Sequence, residues 1–320
     1  MNHVEILSAS EVNKAVTYLA NGGLVAIPTE TVYGLGALIN QPEALARIFD
    51  VKSRPKNHPL IVHVSNWEMA LPLIASKFPA YVSELVEAFS PGPITYILPK
   101  SELISDVITG GQDSVGIRIP SHPVAQSILQ TLGVAIAAPS ANTFGGVSPT
   151  SALHVFTDLA VRLSAGKDAI VDGGECEIGI ESTIVDCRFD IPKVLRPGAI
   201  TEAMIHSVVS SIQTKSATDI RVSGSLEKHY SPYARVRIID SVDEIGSDIA
   251  LAGFIANEAI PTPRETIRLA MPKDDEEFAR VLYAALRRAD ELHLEEVFVI
   301  APLGSGIGSA IRDRLLRASH

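Results

Sequence analysis

The stretch Pro28-Thr29-Glu30-Thr31-Val32-Tyr33-Gly34-Leu35 sets hydroxyl, carboxylate, hydroxyl and phenol directly after the apolar run Leu24–Ile27. A buried strand that stops in a polar cluster is where an α/β protein fixes reactive groups on a rigid support. Lys52, Arg54 and Lys56 then crowd three cations into five positions, ahead of His58 and His63. Arginine forks onto two oxygens and lysine supplies a mobile point charge, which suits a phosphate-bearing ligand. Taken alone, the same run is also an ordinary solvated loop, and a single histidine in the apolar run Leu60–Val64 is more often a satisfied core residue than a ligand.

Three further places carry candidate chemistry. Ser140 and Asn142 follow the apolar run Val134–Ala138 and offer hydrogen bonds to an oxyanion or phosphate; a plain Asx or Ser turn is the other reading. No G-x-S-x-G elbow surrounds Ser140, which argues against a hydrolase nucleophile. Arg118 lies inside the apolar stretch Gly116–Pro120 and must be paired, either with a protein carboxylate or with a bound one. Glu181-Ser182-Thr183-Ile184-Val185-Asp186 and Leu195-Arg196-Pro197-Gly198 are strand edges bearing hydroxyls and a second arginine. There is no G-x-x-x-x-G-K-[ST], no HExxH and no paired Cys/His set, so neither a P-loop nor a protein-built zinc site is expected. The glycines of Gly304–Gly308 miss the dinucleotide spacing and read as a turn and helix start.

These groups need a framework. The 320 residues suffice for one large domain or two ordinary ones, and a 46% hydrophobic content supplies a substantial core. No apolar run reaches the length of a membrane span, and the first residues show no signal peptide. The two cysteines, Cys176 and Cys187, exclude a disulfide framework and suit a reducing, cytoplasmic setting. A net charge of −10 argues against broad electrostatic binding of nucleic acid, so an anion must be held by a local basic cluster.

Strands are expected at Leu24–Ile27, Leu60–Val64, Ile94–Leu98, Val115–Ile119, Val134–Ala138, Thr183–Asp186 and Lys193–Leu195. Helices are expected at Val12–Ala20 with Ser10 as N-cap, Glu43–Phe49, Glu68–Ser76, Ala80–Phe89, His122–Gln130, Ser151–Leu159 and Thr201–Ile212. Several strands follow one another without a helix between, which predicts a mixed sheet. The pattern lapses into polar residues from Gln213 to about Pro232. It resumes with strands at Val236–Ile239, Leu251–Ile255 and Val297–Ala301, and helices at Glu276–Ala289 and Ser309–Ala318. The expected organisation is a catalytic domain over 1–212, a linker or lid over 213–233, and a small α/β domain over 234–320.

Taken together, Pro28–Leu35, Lys52-x-Arg54-Pro55, Ser140-x-Asn142, Glu181–Val185 and Arg196-Pro197-Gly198 resemble the YrdC-like family of threonylcarbamoyl-AMP synthases. Lys228-His229-Tyr230-Ser231-Pro232 and the C-terminal α/β unit resemble its long, two-domain form. The chain departs from the family at Gly224-Ser225-Leu226-Glu227, where a more aromatic, Met-containing run is usual, and at His58, where an asparagine or other polar residue is usual. The resemblance implies an α/β fold with an open, twisted mixed sheet and a smaller Rossmann-like C-terminal domain. It also implies conversion of L-threonine, bicarbonate and ATP to threonylcarbamoyl-AMP and pyrophosphate, the first step of threonylcarbamoyladenosine formation in tRNA. By the same resemblance Thr31, His63, Arg118, Ala138 and Ser182 enclose the threonine. Lys52, Arg54, Ser140 and Asn142 form the catalytic cluster, and Arg54, His58, Ser114, Ser140, Ser148, Arg196 and Tyr230 hold ATP. Mg2+ would arrive with ATP, a separate tRNA threonylcarbamoyl-transfer complex would take the product, and tRNA itself would not be bound tightly. Two rivals are a non-catalytic RNA-binding maturation factor and a carbamoyl-adenylate enzyme of hydrogenase maturation. The second normally carries acylphosphatase and zinc-finger modules, and two cysteines are too few for the latter.

Overall fold

The structure, a computed structural model, describes residues 4–209, 220–222, 224, 229–246 and 251–320. Ten strands form one large sheet: β1 (Glu5–Ser8), β2 (Val25–Ile27), β3 (Gly34–Leu38), β4 (Ile61–His63), β5 (Ile94–Pro99), β6 (Ser114–Arg118), β7 (Ile136–Ala138), β8 (Ala169–Asp172), β9 (Thr183–Asp186) and β10 (Lys193–Arg196). Their order is β1-β8-β2-β3-β7-β4-β6-β5-β9-β10. Parallel pairs such as β4 with β6 occur beside antiparallel ones such as β3 with β7, so the sheet is mixed as expected. A second, all-parallel sheet holds β11 (Arg235–Ile238), β12 (Ala252–Ile255), β13 (Thr266–Ala270) and β14 (Glu296–Val299), in the order β11-β14-β12-β13.

The central strands are short and nearly continuous in apolar residues because both faces are covered. On one side a large core gathers Leu35, Val62, Tyr96 and Ile117 with the helices Pro42–Lys52 and Tyr81–Phe89. The helix Pro42–Lys52 starts on a proline with Glu43 in its first turn. It ends on Ser53, whose left-handed φ of 53° turns the chain straight into Arg54-Pro55. The small domain is not separate from the rest. Its helix Asp275–Glu291 shares a core cluster with Val32, Val147 and Ile180 of the large domain. Arg287 of that helix makes a two-pronged ion pair with Asp158, at 2.9 and 2.7 Å.

Several expectations need correction. Ser10 is not the N-cap of Val12–Ala20: Glu11 holds that place without a side-chain cap and accepts from the Ser8 amide and hydroxyl instead. The helix expected at Glu68–Ser76 is Trp67–Ala70 followed by a 3-10 turn at Leu71–Leu73, because Pro72 lacks the amide hydrogen a continuing helix needs. The segment Gly34–Leu38, for which no element was expected, is strand β3 in the interior of the sheet. Strands β1, β8 and β13 were not anticipated. The last expected helix of the large domain spans Glu202–Val208, and residues 210–212 lie outside the described ones, as does most of the expected linker.

Candidate active site

In paired strands, residues directly opposite one another share a face. His63 lies opposite Arg118, and Ile61 lies opposite Ala138, so all four project from one face of the central sheet. There they form the floor of a narrow cavity. Thr29, Val32, Tyr33 and Gly34 close one side, Pro139 and Ser140 another, and Glu181, Ser182 and Arg196 the third; Gly224, His229 and Tyr230 cover it. The chemistry therefore sits on the sheet's face rather than beyond its strand ends. Strands of only three residues, such as β4 and β7, bring loops from both ends within reach of one small ligand.

Arg118 is buried, and one guanidinium nitrogen donates to Glu30 Oε1 at 2.7 Å while the Ser121 amide holds Glu30 Oε2 at 3.1 Å. Burial alone would raise the Glu30 carboxyl; the Arg118 charge reverses this and holds it below its ordinary value. Arg118 Nε is buried with no partner among the described residues, leaving one donor for a ligand. His63 is also buried, with Nδ1 3.1 Å from the Ile61 carbonyl. Burial, with the Arg118 charge, pushes it down to about 3, so it is a neutral hydrogen-bonding group.

Ser182 Oγ lies 2.8 Å from Thr95 Oγ1, and Arg196 clamps the Ser182 carbonyl with Nε and Nη2 at 3.0 and 2.8 Å. Tyr230 is almost fully enclosed, and burial followed by the Glu181 charge raises its phenol to about 12, so it stays protonated. Gly224 has φ +79°, and a Cβ there would come 2.2 Å from the Tyr230 hydroxyl oxygen, so only glycine lets the chain pass over that ring.

Of the residues singled out from the sequence, His63, Arg118, Ala138, Ser140, Ser182, Arg196 and Tyr230 line this cavity. The others stand behind it. Thr31 is buried with its hydroxyl 2.9 Å from that of Thr29, and Thr29 is the one on the wall. Lys52 is buried and donates to the carbonyls of Ser140 and Asn142. Arg54 donates to the Pro59 carbonyl at 2.9 Å and lies over the Phe144 ring at 5.5 Å, against which His58 also packs edge-on. Asn142 Nδ2 donates to the carbonyls of Thr143 and Gly146, both at 2.8 Å. Ser148 donates to Glu181, and Ser114 borders a separate small cavity beside Arg221 and Val222. Lys228 lies outside the described residues.

Sequence reasoning missed Glu30 and Glu181 as partners, and Phe144 altogether. Phe144 joins Arg54 and His58 to His229, whose ring centroid is 6.3 Å away. Its only signal was position, two residues after Asn142 in a glycine-containing turn.

Two family models match the chain. One, described as "Telomere recombination" and covering Sua5, YciO and YrdC proteins, matches residues 17–198. The other, described as "Threonylcarbamoyl-AMP synthase, C-terminal domain", matches residues 200–320. Threonylcarbamoyl-AMP synthase of Pyrococcus abyssi is 35% identical over all of this chain and 97% of its own length. The enzyme of the same name from Bacillus subtilis is 35% identical over 97% of this chain and 93% of its own. A crystal structure of P. abyssi Sua5 complexed with L-threonine superposes with a TM-score of 0.89 at 34% identity, covering 98% of this chain and 97% of that one.

Proposed function

The chain belongs to the Sua5/YciO/YrdC family, in the form that carries the C-terminal domain of threonylcarbamoyl-AMP synthases, and on that premise we propose how its residues divide the work. The protein is an AMP-forming transferase that makes threonylcarbamoyl-AMP from ATP, L-threonine and bicarbonate, with release of pyrophosphate. The observation that carries this reading is a cavity lined by two buried arginines, Arg118 paired with Glu30 and Arg196 clamped on Ser182, so that one can take a carboxylate and the other a polyphosphate.

Arg118 receives the threonine carboxylate through its uncommitted Nε, with His63, Ala138, Thr29 and Ser182 around the amino acid. The threonine amine adds to bicarbonate carbon, and a carbamate oxygen attacks the α-phosphorus of ATP. This chemistry needs alignment and charge neutralisation rather than a covalent enzyme intermediate. Arg196, Ser140 and Tyr230 face the nucleotide, while Lys52, Arg54 and Asn142 hold the loop that carries Ser140. Among the described residues no group of three or more His, Cys, Asp or Glu side chains is placed to hold a metal ion. Mg2+ would be carried by the oxygens of ATP more than by protein carboxylates.

Carbamates decompose readily in water, so exclusion of solvent is part of catalysis. His229 and Tyr230 cover the cavity, and we assign their segment, part of a 213–233 linker, the role of a lid over bound ATP. On this reading a separate transfer complex takes up the product, tRNA is not held tightly by an acidic chain, and two buried free thiols accord with the cytoplasm. The RNA-binding alternative lacks support, since the full-length relatives are named as synthases. Pyrophosphate release from ATP, measured with threonine and bicarbonate added or omitted, tests the reaction. Both are required; equal rates without bicarbonate would overturn it.

A further inference from the structure

Glu181 is the one carboxylate on the cavity wall among the described residues, and it stands where anionic substrates must bind. An uncompensated carboxylate there would repel a triphosphate. The structure shows how it is compensated. Glu181 Oε1 accepts from Ser148 Oγ at 2.6 Å, and Oε2 accepts from the Tyr283 hydroxyl at 2.8 Å and from Arg314 Nε at 2.9 Å. Tyr283 and Arg314 both come from the C-terminal domain, and both are fully buried.

The same two side chains also support the cavity's cover. Tyr230 stacks on Tyr283 with ring centroids 5.6 Å apart and planes 26° apart, and the Arg314 guanidinium lies over the Tyr230 ring, 5.4 Å from its centre. Arg314 is held in turn by Asp313 at 2.7 Å and by the carbonyl of Pro197 at 3.0 Å, directly after Arg196. The backbone fixes this meeting of domains. Gly179, two residues before Glu181, has φ +81°, and a Cβ there would come 2.5 Å from Arg280 Cα. The helix Asp275–Glu291 thus rests main chain to main chain on the segment that carries Glu181.

We propose that Tyr283 and Arg314 are positioning residues for the nucleotide: the docked C-terminal domain neutralises Glu181 and shelves Tyr230, and so makes the cavity competent for ATP. This rests on the synthase reading above. A purely structural cluster would contribute to folding alone, affecting both substrates equally through the amount of folded protein. A positioning pair acts on ATP and leaves threonine, bound toward Arg118, untouched.

The test uses the full chain, with Tyr283→Phe, Arg314→Lys and Arg314→Met. Tyr283→Phe keeps the ring stack and removes only the donor to Glu181. Affinities for threonine and for a non-hydrolysable ATP analogue are measured by calorimetry, with pyrophosphate release and thermal unfolding alongside. Tyr283→Phe is expected to weaken the ATP analogue by about ten- to a hundredfold, as befits one hydrogen bond to a charged group. Threonine affinity is expected to stay at the wild-type value, and Arg314→Lys to regain part of what Arg314→Met loses. If Tyr283→Phe binds the analogue as wild type does, or if both ligands weaken together, the proposal is overturned. Failure of Arg314→Met to fold leaves Tyr283→Phe to decide. Wild-type protein that binds both ligands but releases no pyrophosphate would overturn the assigned reaction, a result separable from loss of ATP affinity in the variant.

Discussion

The Lys52 ammonium donates to the main-chain carbonyl of Ser140 at 2.6 Å, and so ties the end of one helix to the loop that carries the cavity's serine. It makes a second such bond to the Asn142 carbonyl, and the Phe144 amide returns one to the Lys52 carbonyl at 2.9 Å. A lysine read from sequence as a phosphate ligand is thus, in this state, a strut. Burial first, and then the neighbouring Arg54 charge, pull its ammonium well below the ordinary lysine value.

Lys52→Met should therefore fail through geometry. The substitution keeps the length and leaves two buried carbonyls without a donor, at a cost of about 1–3 kcal/mol each. Pyrophosphate release should fall by roughly a hundredfold or more, a misplacement effect of the size expected when a reacting group is shifted by about 1 Å. Threonine affinity should change little. Turnover and threonine calorimetry on the same preparation separate the two.

Arg118 has two obligations, and a single substitution should expose both. Arg118→Ala removes the partner of buried Glu30 and should destabilise the fold by about 3–5 kcal/mol. Arg118→Lys keeps the charge near Glu30 but loses the Nε donor, so threonine should bind at least about tenfold more weakly with a smaller loss of stability. Thermal unfolding with and without saturating threonine reads both effects.

Serine in place of threonine should lower kcat/KM by on the order of ten- to two-hundredfold, the value of one methyl group in an apolar recess. The recess is supplied by Val32 and Ala138 beside Thr29 on the cavity wall. Equal use of the two amino acids would show that the methyl group meets solvent instead.

Acid should destabilise the protein from about the ordinary histidine value downward. Burial pushes His63 and His229 to about 3 and His154 to about 4. The unfolded chain takes up these protons near 6.5 while the folded chain refuses them, so stability present above that pH is lost as the pH falls through it. Glu181 adds to the loss lower down. Burial alone would raise it, but the Arg314 and Arg196 charges hold it at about 2, so its contribution is present above its unfolded value of 4.5 and lost toward 2. A plot of Tm from pH 7.5 to 5 should slope downward, and His154→Gln, away from the cavity, should flatten it.

The sequence was most readable where local pattern and burial agree. Thr183–Asp186 and Val12–Ala20 have the expected bounds, since an apolar period and clear breakers define them. Strand β3 was hidden because Gly34-Leu35-Gly36 lacks the β-branched residues that mark a strand. Its glycine at 36 is needed because a Cβ there would meet Ile136 at 2.6 Å. The basic loop and the serine–asparagine pair were visible as residues, but not as supports. Whether a lysine meets a phosphate or a carbonyl depends on the fold of residues about 90 positions away. Glu181 was seen only as part of a hydroxyl-bearing strand edge, because its partners Tyr283 and Arg314 lie more than 100 positions downstream.

The core cluster that runs from Val32, Val147 and Ile180 into Phe278, Leu282 and Leu286 has a consequence for how the molecule melts. Two sheets with separate hydrogen-bonding networks would ordinarily give two calorimetric transitions. Here the larger core cluster of the C-terminal half is completed by Val32, Val147 and Ile180 of the large domain. Heat should therefore open both sheets in one cooperative step, with calorimetric and van't Hoff enthalpies in agreement. By the same token, grafting the C-terminal half of a distant homologue onto this chain should lower its melting temperature unless residues 32, 147 and 180 are exchanged with it.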